Sequence, residues 1–215
     1  MPNWNKFKAE VKKSEGNISH MYLDSVGKVT VGVGNMLPDV AAAQRLPFIV
    51  RANQKPASPE QIASDFDTVS KKAPSLIAVT YKKYTKLDLR YADIEKLLDQ
   101  RIKEFTSQLK KRFPDFGTYP IYAQFAVTDM AFNLGIHGLV TKFPKFTKAV
   151  KDKNWTEAAK QSKRPQLSVD RNKVVRVWLE EAAKQASQDA TNPAAPEAVN
   201  LNRPQALGNR LSRDK

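Results

Sequence analysis

Three polar residues near the start of the chain have types and spacing suited to acid–base chemistry. Glu15 lies at the end of a predicted helix, Asp24 opens a predicted β-turn, and Thr30 lies on the strand that follows. A helix C-terminus disfavours an ionised carboxylate, so Glu15 is suited to act as an acid. Asp24, beside the N–H groups of a turn, is expected to stay ionised as the base, with the Thr30 hydroxyl helping to hold water. By position alone, a solvated helix-end glutamate and a turn-forming aspartate explain the same residues, and both interpretations stay open.

The elements that would position these residues are an N-terminal helix and a small hairpin. Asn3 is a suitable N-cap, Phe7 and Val11 follow at helical spacing, and Gly16 suits the left-handed residue that ends a helix. Alternating valines over residues 29–33, after a glycine-containing turn, predict a β-hairpin or meander. This is the only strand region that the sequence predicts.

The rest of the chain is predicted to be helical. Ser58 and Pro59 form a typical helix start within the proline-rich segment 37–87. An apolar stripe from Leu89 to Leu109 predicts a connecting helix of about 20 residues, hence about 30 Å long. Residues 121–134 are apolar nearly all round, as in a buried central helix, and shorter helices are predicted at 144–150, 154–161 and 169–185. The fold class is therefore α+β, mainly α, with one small N-terminal sheet.

Composition limits both the chemistry and the partners. Lys and Arg number 36 against 22 Asp and Glu, and the net charge of +14 favours a polyanion: nucleic acid, an anionic membrane or an acidic cell-wall polymer. The chain has no cysteine, and its histidines are His20 and His137, so thiolate sites, multi-histidine metal centres and a conventional Ser-His-Asp relay are not expected. We expect no cofactor and no metal. No groove-reading motif supports nucleic acid as a partner, and no apolar run suits membrane insertion.

Three other features are given structural interpretations. His20 is predicted to lie on the surface, although contact with a sugar near the site stays open. Asp129, on the predicted central helix, is interpreted as a capped or paired structural acid in preference to a catalytic one. Gly32 and Gly34 superficially resemble a phosphate loop, but their hairpin context argues against a dinucleotide site.

A longer pattern around the two carboxyl residues is more specific than their positions alone. It comprises, at fixed spacing, Glu15, Gly16, Tyr22, Asp24, Gly27, Thr30, Gly32 and Gly34. This pattern resembles the catalytic signature of the phage-type lysozymes, glycoside hydrolase family 24, which include the endolysins of T-even phages. Later segments at 132–135, 155–159 and 170–172 resemble further elements of the family in the same order. The resemblance covers about residues 3–36 and 87–180.

The resemblance implies a lysozyme-like fold of two lobes with the substrate groove between them. A muramidase domain would span residues 1–188, with an N-terminal lobe over 1–36, an insertion over 37–87, and a connecting helix and helical C-terminal lobe over 88–188. Residues 189–215 would form a C-terminal extension. The insertion is longer than in the compact phage enzymes. In this respect the chain resembles lysozyme-like modules used as antibacterial secretion effectors, for example by type VI systems.

The resemblance also implies roles for individual residues. Glu15 would be the general acid that protonates the glycosidic oxygen, while Asp24 would position or activate water with help from Thr30. The mechanism would then be inverting, with carboxyl groups roughly 6.5–9.5 Å apart. Arg171 would pair with the acid. The substrate-binding residues would be Gly34, Met36, Phe132, Asn133 and Arg171, and Asn133 stands where the family commonly has Gln.

The function implied is peptidoglycan hydrolysis by a muramidase that cleaves the β-1,4 bond from N-acetylmuramic acid to N-acetylglucosamine. A lytic transglycosylase, with a single acid and anhydro-sugar products, and a non-catalytic peptidoglycan-binding module remain as alternatives. The setting would be bacteriolytic, as an antibacterial effector toxin or an endolysin, with glycan strands as partner and an immunity protein or secretion-system component as further partners. The start of the chain has no signal-peptide pattern. We therefore expect synthesis in the cytoplasm and action in the periplasm or cell wall of a target or host cell.

Overall fold

The structure is a computed structural model that describes residues 4–74 and 77–191. The α+β, mainly helical class expected from the sequence is confirmed. Over the described ranges the elements are, in chain order, α1 (Asn5–Glu15), β1 (Ile18–Leu23), β2 (Val29–Gly32), β3 (Asn35–Met36), α2 (Val40–Gln44), β4 (Ile49–Val50), α3 (Pro59–Ser70), a 3₁₀ helix (Ala78–Tyr84), β5 (Leu87–Asp88), α4 (Tyr91–Arg112), a second 3₁₀ helix (Pro114–Thr118), α5 (Ile121–Lys142), α6 (Pro144–Lys151), α7 (Trp155–Gln161) and α8 (Val169–Thr191). Within that part of the chain, no helix is both long and apolar enough to cross a membrane.

The predicted hairpin forms the first two strands of a three-stranded antiparallel sheet in the order β1-β2-β3. Gly27 has a φ of +77° in the turn, a conformation that glycine reaches without strain. Across the strands, Tyr22 lies opposite Thr30, and Thr30 lies opposite Met36. Because directly opposed residues project to the same side of a sheet, these three side chains share one face.

Helix α1 links the sheet to the helical part of the molecule. Its predicted cap, Asn3, lies outside the described residues, whereas the predicted stop at Gly16 is confirmed by a φ of +82°. The fully buried ring of Phe7 has its centroid 5.6 Å from that of Phe132 and 6.0 Å from that of Trp178. The first helix therefore packs on α5 and α8.

Two long helices follow the predicted apolar periodicity. The connecting helix α4 has 22 residues, which gives a length of about 33 Å. It packs along α5 and approaches the sheet at Gly32, where an added Cβ would lie 3.3 Å from Cγ2 of Ile94. Helix α5 is interrupted at Gly135, with φ 68° and ψ 162°. Its first part therefore ends close to residue 134, as the sequence predicts.

The segment 37–87 folds against β1 and contains a second sheet, formed by β4 and β5. The prediction of a single strand region is therefore wrong, because strands of two residues are too short to show alternation. Arg51 fastens the segment, since its Nε donates to Asp88 Oδ2 at 2.8 Å and its Nη1 donates to the Thr85 carbonyl at 2.7 Å. The predicted helix start is confirmed as a capping box in which the Ser58 side chain accepts from the Gln61 N–H.

His20 and the C-terminal helix also differ from expectation. His20 is only 3% exposed, because the 3₁₀ helix Ala78–Tyr84 covers β1 and its Ala78 carbonyl lies 3.0 Å from Nε2. The surface position expected for His20 is therefore wrong, and burial lowers its pKa. Helix α8 continues to Thr191, beyond the predicted end at residue 185 and into the predicted extension. The remainder of that extension, 192–215, lies outside the described residues.

Candidate active site

Glu15 is the last residue of α1, and Gly16 ends the helix with its N–H bonded to the Lys12 carbonyl. The Glu15 side chain is 32% exposed, and its Oε1 lies 2.7 Å from Nη1 of Arg171, which is 11% exposed. The ion pair expected from the resemblance is thus present. It fixes the direction of the predicted acid and connects the end of α1 to the first turn of α8.

Arg171 belongs to a longer chain of buried charges. Its Nη2 donates to Asp129 Oδ1 at 3.3 Å, and Asp129 Oδ2 lies 2.9 Å from Nη2 of Arg164. The side chains of Asp129 and Arg164 are 6% and 0% exposed, and burial lowers the pKa of Arg164 while Asp129 opposes that shift. Asp129 is therefore a paired structural acid, as predicted. The sequence did not identify Arg164, because an arginine beside a proline carries no signal of burial.

Asp24 and Thr30 lie at the two ends of the β1–β2 turn. Asp24 Oδ1 accepts the backbone N–H groups of Val26 at 3.0 Å and Lys28 at 2.8 Å, and neither bond uses Oδ2. The Thr30 hydroxyl donates to the Lys28 carbonyl at 3.0 Å, and the residue is 2% exposed. Its hydrogen is thus committed to the backbone, so the oxygen of Thr30 can only accept from a further partner. Asp24, through Oδ2, and Thr30, through its hydroxyl oxygen, can therefore each accept a hydrogen bond from a further donor.

Tyr22 is a buried phenol that both predicted catalytic carboxyl groups influence electrostatically. Burial raises its pKa to about 12, and the charges of Glu15 and Asp24 act in the same direction. The backbone of Gly34 acts on the phenol in the opposite direction. The phenol therefore stays protonated at neutral pH, and both carboxyl groups lie within electrostatic range of it. The sequence placed Tyr22 in the signature but gave it no role.

The turn at Val33 and Gly34 brings a further cation to the site. Gly34 has a φ of +64°, and a Cβ added there would lie 3.6 Å from Glu15 Oε2 and 3.3 Å from Arg101 Nη1. Nη1 of Arg101 donates to the carbonyls of Val33, at 3.0 Å, and Gly34. Gly34, which was predicted to bind substrate, thus lies directly beside Glu15, the predicted acid. Met36 follows on β3 and is 51% exposed, so its side chain is accessible to a ligand.

Phe132 and Asn133 lie where the first part of α5 ends. Phe132 is 9% exposed, with its ring centroid 4.6 Å from that of Phe105 and 4.9 Å from the guanidinium carbon of Arg101. It is mainly a core residue, so at most an edge of the ring can reach a ligand. Asn133 is half-buried, and its Oδ1 is buried with no hydrogen-bond partner among the described residues.

Among the predicted residues, Glu15 lies beside both Gly34 and Arg171, at the junction of α1, the turn after β2 and α8. A surface cavity of about 780 Å³ between α7 and α8 is lined by none of the predicted site residues. Among residues 4–74 and 77–191, no group of three or more His, Cys, Asp or Glu is arranged to hold a metal ion. No protein-family model matches the chain, and no curated protein matches it in sequence.

Proposed function

We propose that the chain is a peptidoglycan hydrolase, a muramidase that cleaves the β-1,4 bond from N-acetylmuramic acid to N-acetylglucosamine. The observation that carries the proposal is the ion pair in which Arg171 orients Glu15, together with the electrostatic influence of both Glu15 and Asp24 on the buried phenol of Tyr22. The resemblance of the surrounding signature to that of the phage-type lysozymes supports the same reaction. The net charge of +14 supports an anionic polymer as substrate.

Glu15 acts as the general acid in this proposal. It is one-third exposed, so it can reach a bound glycan, and it lies at the negative end of a helix dipole. Arg171 orients Glu15 and also pairs with Asp129, which in turn pairs with Arg164. Glu15 would then protonate the glycosidic oxygen as the bond to the leaving sugar breaks.

Asp24 and Thr30 act on water in this proposal. Because Asp24 offers Oδ2 and Thr30 can only accept, a water between them would donate one hydrogen to each. Its lone pair would then be directed away from the sheet and toward the anomeric carbon. Asp24 would take up the proton as the new C–O bond forms. This arrangement gives an inverting hydrolysis, the outcome that we expect for the product.

The decisive experiment compares the purified wild type with Glu15→Gln on purified peptidoglycan, with the released ends identified by mass spectrometry. Glu10→Gln, on the same helix and half-buried, is the matched control. We expect reducing muramic ends from the wild type and the control but none from Glu15→Gln. Anhydro ends would assign the chain as a lytic transglycosylase instead. Binding without any cleavage by a folded wild type would leave a peptidoglycan-binding module.

We also propose that the enzyme acts as an antibacterial effector toxin or an endolysin, in the periplasm or cell wall of a target or host cell. Expression of the chain in a bacterium with and without an added export signal tests this setting. We expect lysis only when the chain is exported and only when Glu15 is intact. Equal toxicity of the exported Glu15→Gln variant would contradict it.

A further inference from the structure

Arg101 is a cation of α4 whose guanidinium group contacts the turn that follows β2. It is half-buried, and through Nη1 it donates to the carbonyls of both Val33 and Gly34. Two backbone carbonyls on one guanidinium nitrogen tie this turn to α4, in addition to the core packing of the buried Val33 side chain. The connecting helix thus holds the segment that follows β2.

The same guanidinium group lies over aromatic rings of the helical lobe. Its central carbon is 4.9 Å from the ring centroid of Phe132 and 5.8 Å from that of Phe105. Cation–π contacts at such distances stabilise a partly desolvated arginine. Arg101 therefore links the sheet turn to α5 as well as to its own helix.

The turn held by Arg101 forms one wall of the proposed acid site. Gly34 lies beside Glu15 Oε2, which would be 3.6 Å from a Cβ added at this position, and its backbone also acts on the phenol of Tyr22. A shift of the turn would move Gly34 relative to Glu15 and change the surroundings of the Tyr22 phenol. Displacements of about 1 Å at such positions can lower a rate by about 100-fold.

We propose that Arg101 is a positioning residue of the active site, which holds the Val33–Gly34 turn against Phe132 and thereby sets the geometry of Glu15 and Tyr22. This inference rests on the proposed muramidase function. Arg101 acts through the turn, so its loss lowers the rate of the chemical step more than the affinity for glycan.

Three variants and two measurements test this positioning role. Arg101→Met keeps the aliphatic stem but removes the donors and the charge, and Arg101→Lys keeps a charged donor. Lys103→Met, at an exposed position of the same helix, is the control. The first measurement is kcat and KM on soluble peptidoglycan fragments. The second is backbone hydrogen exchange of residues 31–36, which reports the turn whether or not the chain is an enzyme.

We expect Arg101→Met to lower kcat by about 10- to 100-fold with KM changed less than about threefold, Arg101→Lys to recover part of the loss, and Lys103→Met to have no effect. Exchange over 31–36 should be faster in Arg101→Met, faster to a smaller extent in Arg101→Lys, and unchanged in Lys103→Met. Unchanged exchange, or an unchanged kcat in an active wild type, would overturn the inference. If Arg101→Met does not fold, Arg101→Lys decides, since its turn exchange and kcat should change together. Faster exchange in a chain whose wild type is inactive would overturn the proposed function while the contact itself stands.

Discussion

Replacement of Asp129 by asparagine tests the buried chain of charges behind Glu15. Asp129 is shared by Arg164, whose side chain is 0% exposed, and by Arg171. Asparagine keeps one acceptor oxygen but turns an NH₂ group toward one of the two arginines, where a donor meets a donor. Loss of one partner of a buried ion pair costs about 3–5 kcal/mol. For a chain of this length, such a loss lowers the melting temperature by on the order of 10 °C.

Urea unfolding followed by tryptophan fluorescence measures the loss, with Asp152→Asn as the control. Asp152 pairs with Lys148 at 2.6 Å on the surface, where both side chains are more than half exposed, so its replacement should cost less than about 1 kcal/mol. Addition of Arg164→Met to Asp129→Asn should restore part of the stability, because it removes the unpaired buried cation. If Asp129→Asn and Asp152→Asn unfold at the same urea concentration, the reasoning about this network is wrong.

Three further outcomes follow from described contacts. Asp65 Oδ2 accepts the N–H groups of Lys86 and Leu87 at 2.8 and 2.9 Å. Asp65→Ala should therefore lower the free energy of unfolding, measured by chemical denaturation, by about 2–5 kcal/mol. Asp65→Asn keeps an oxygen at this position and should lower it clearly less. Burial lowers the pKa of His20 below 6.5, so the unfolded chain binds the proton first as the pH falls. The free energy of unfolding should therefore decrease as the pH drops below 6.5, and it should decrease less in His20→Gln between pH 7 and pH 5. An equal decrease in both proteins would contradict the burial of a neutral His20. Gly34→Ala places a Cβ at positive φ and 3.3 Å from a guanidinium nitrogen of Arg101. It should therefore lower the rate of peptidoglycan clearing at least tenfold and the free energy of unfolding by about 1–2 kcal/mol. Clearing at the wild-type rate would refute the close packing of this turn.

The sequence was sufficient for elements whose pattern repeats over several turns. The apolar stripe of α4 and the all-apolar first part of α5 each extend over many residues, so their periodicity is clear. The stop at Gly16 and the turn at Gly27 were also predictable, because both need a backbone conformation that favours glycine. By contrast, β4 and β5 have two residues each, and the tertiary contacts that create them leave no local pattern.

The candidate site was only partly predictable for the same physical reason. Glu15, Asp24 and Thr30 follow from a signature of fixed spacing, and the pairing of Arg171 follows from the resemblance. Arg101 looked like any charged residue on the polar face of an amphipathic helix, and only the folded chain shows that this side chain faces the sheet. His20 was predicted to be exposed because the sequence around it does not indicate that the distant segment around Ala78 covers its strand. The hydrophobic periodicity of a sequence does not reveal polar residues that are buried by distant segments of the chain.

The two ends of the segment 37–87 are fastened to neighbouring strands. Where the segment leaves the sheet, the Leu37 N–H donates to the Val29 carbonyl at 2.7 Å, and where the chain returns, the Leu89 N–H donates to the Ser19 carbonyl at 2.8 Å. Since β1 and β2 are adjacent, the departure and return points are fixed independently of what lies between them. This stretch can therefore be lengthened, shortened or exchanged without moving helix α4 or the hairpin that carries Asp24 and Thr30, so the surface that it forms can diverge while those residues keep their places.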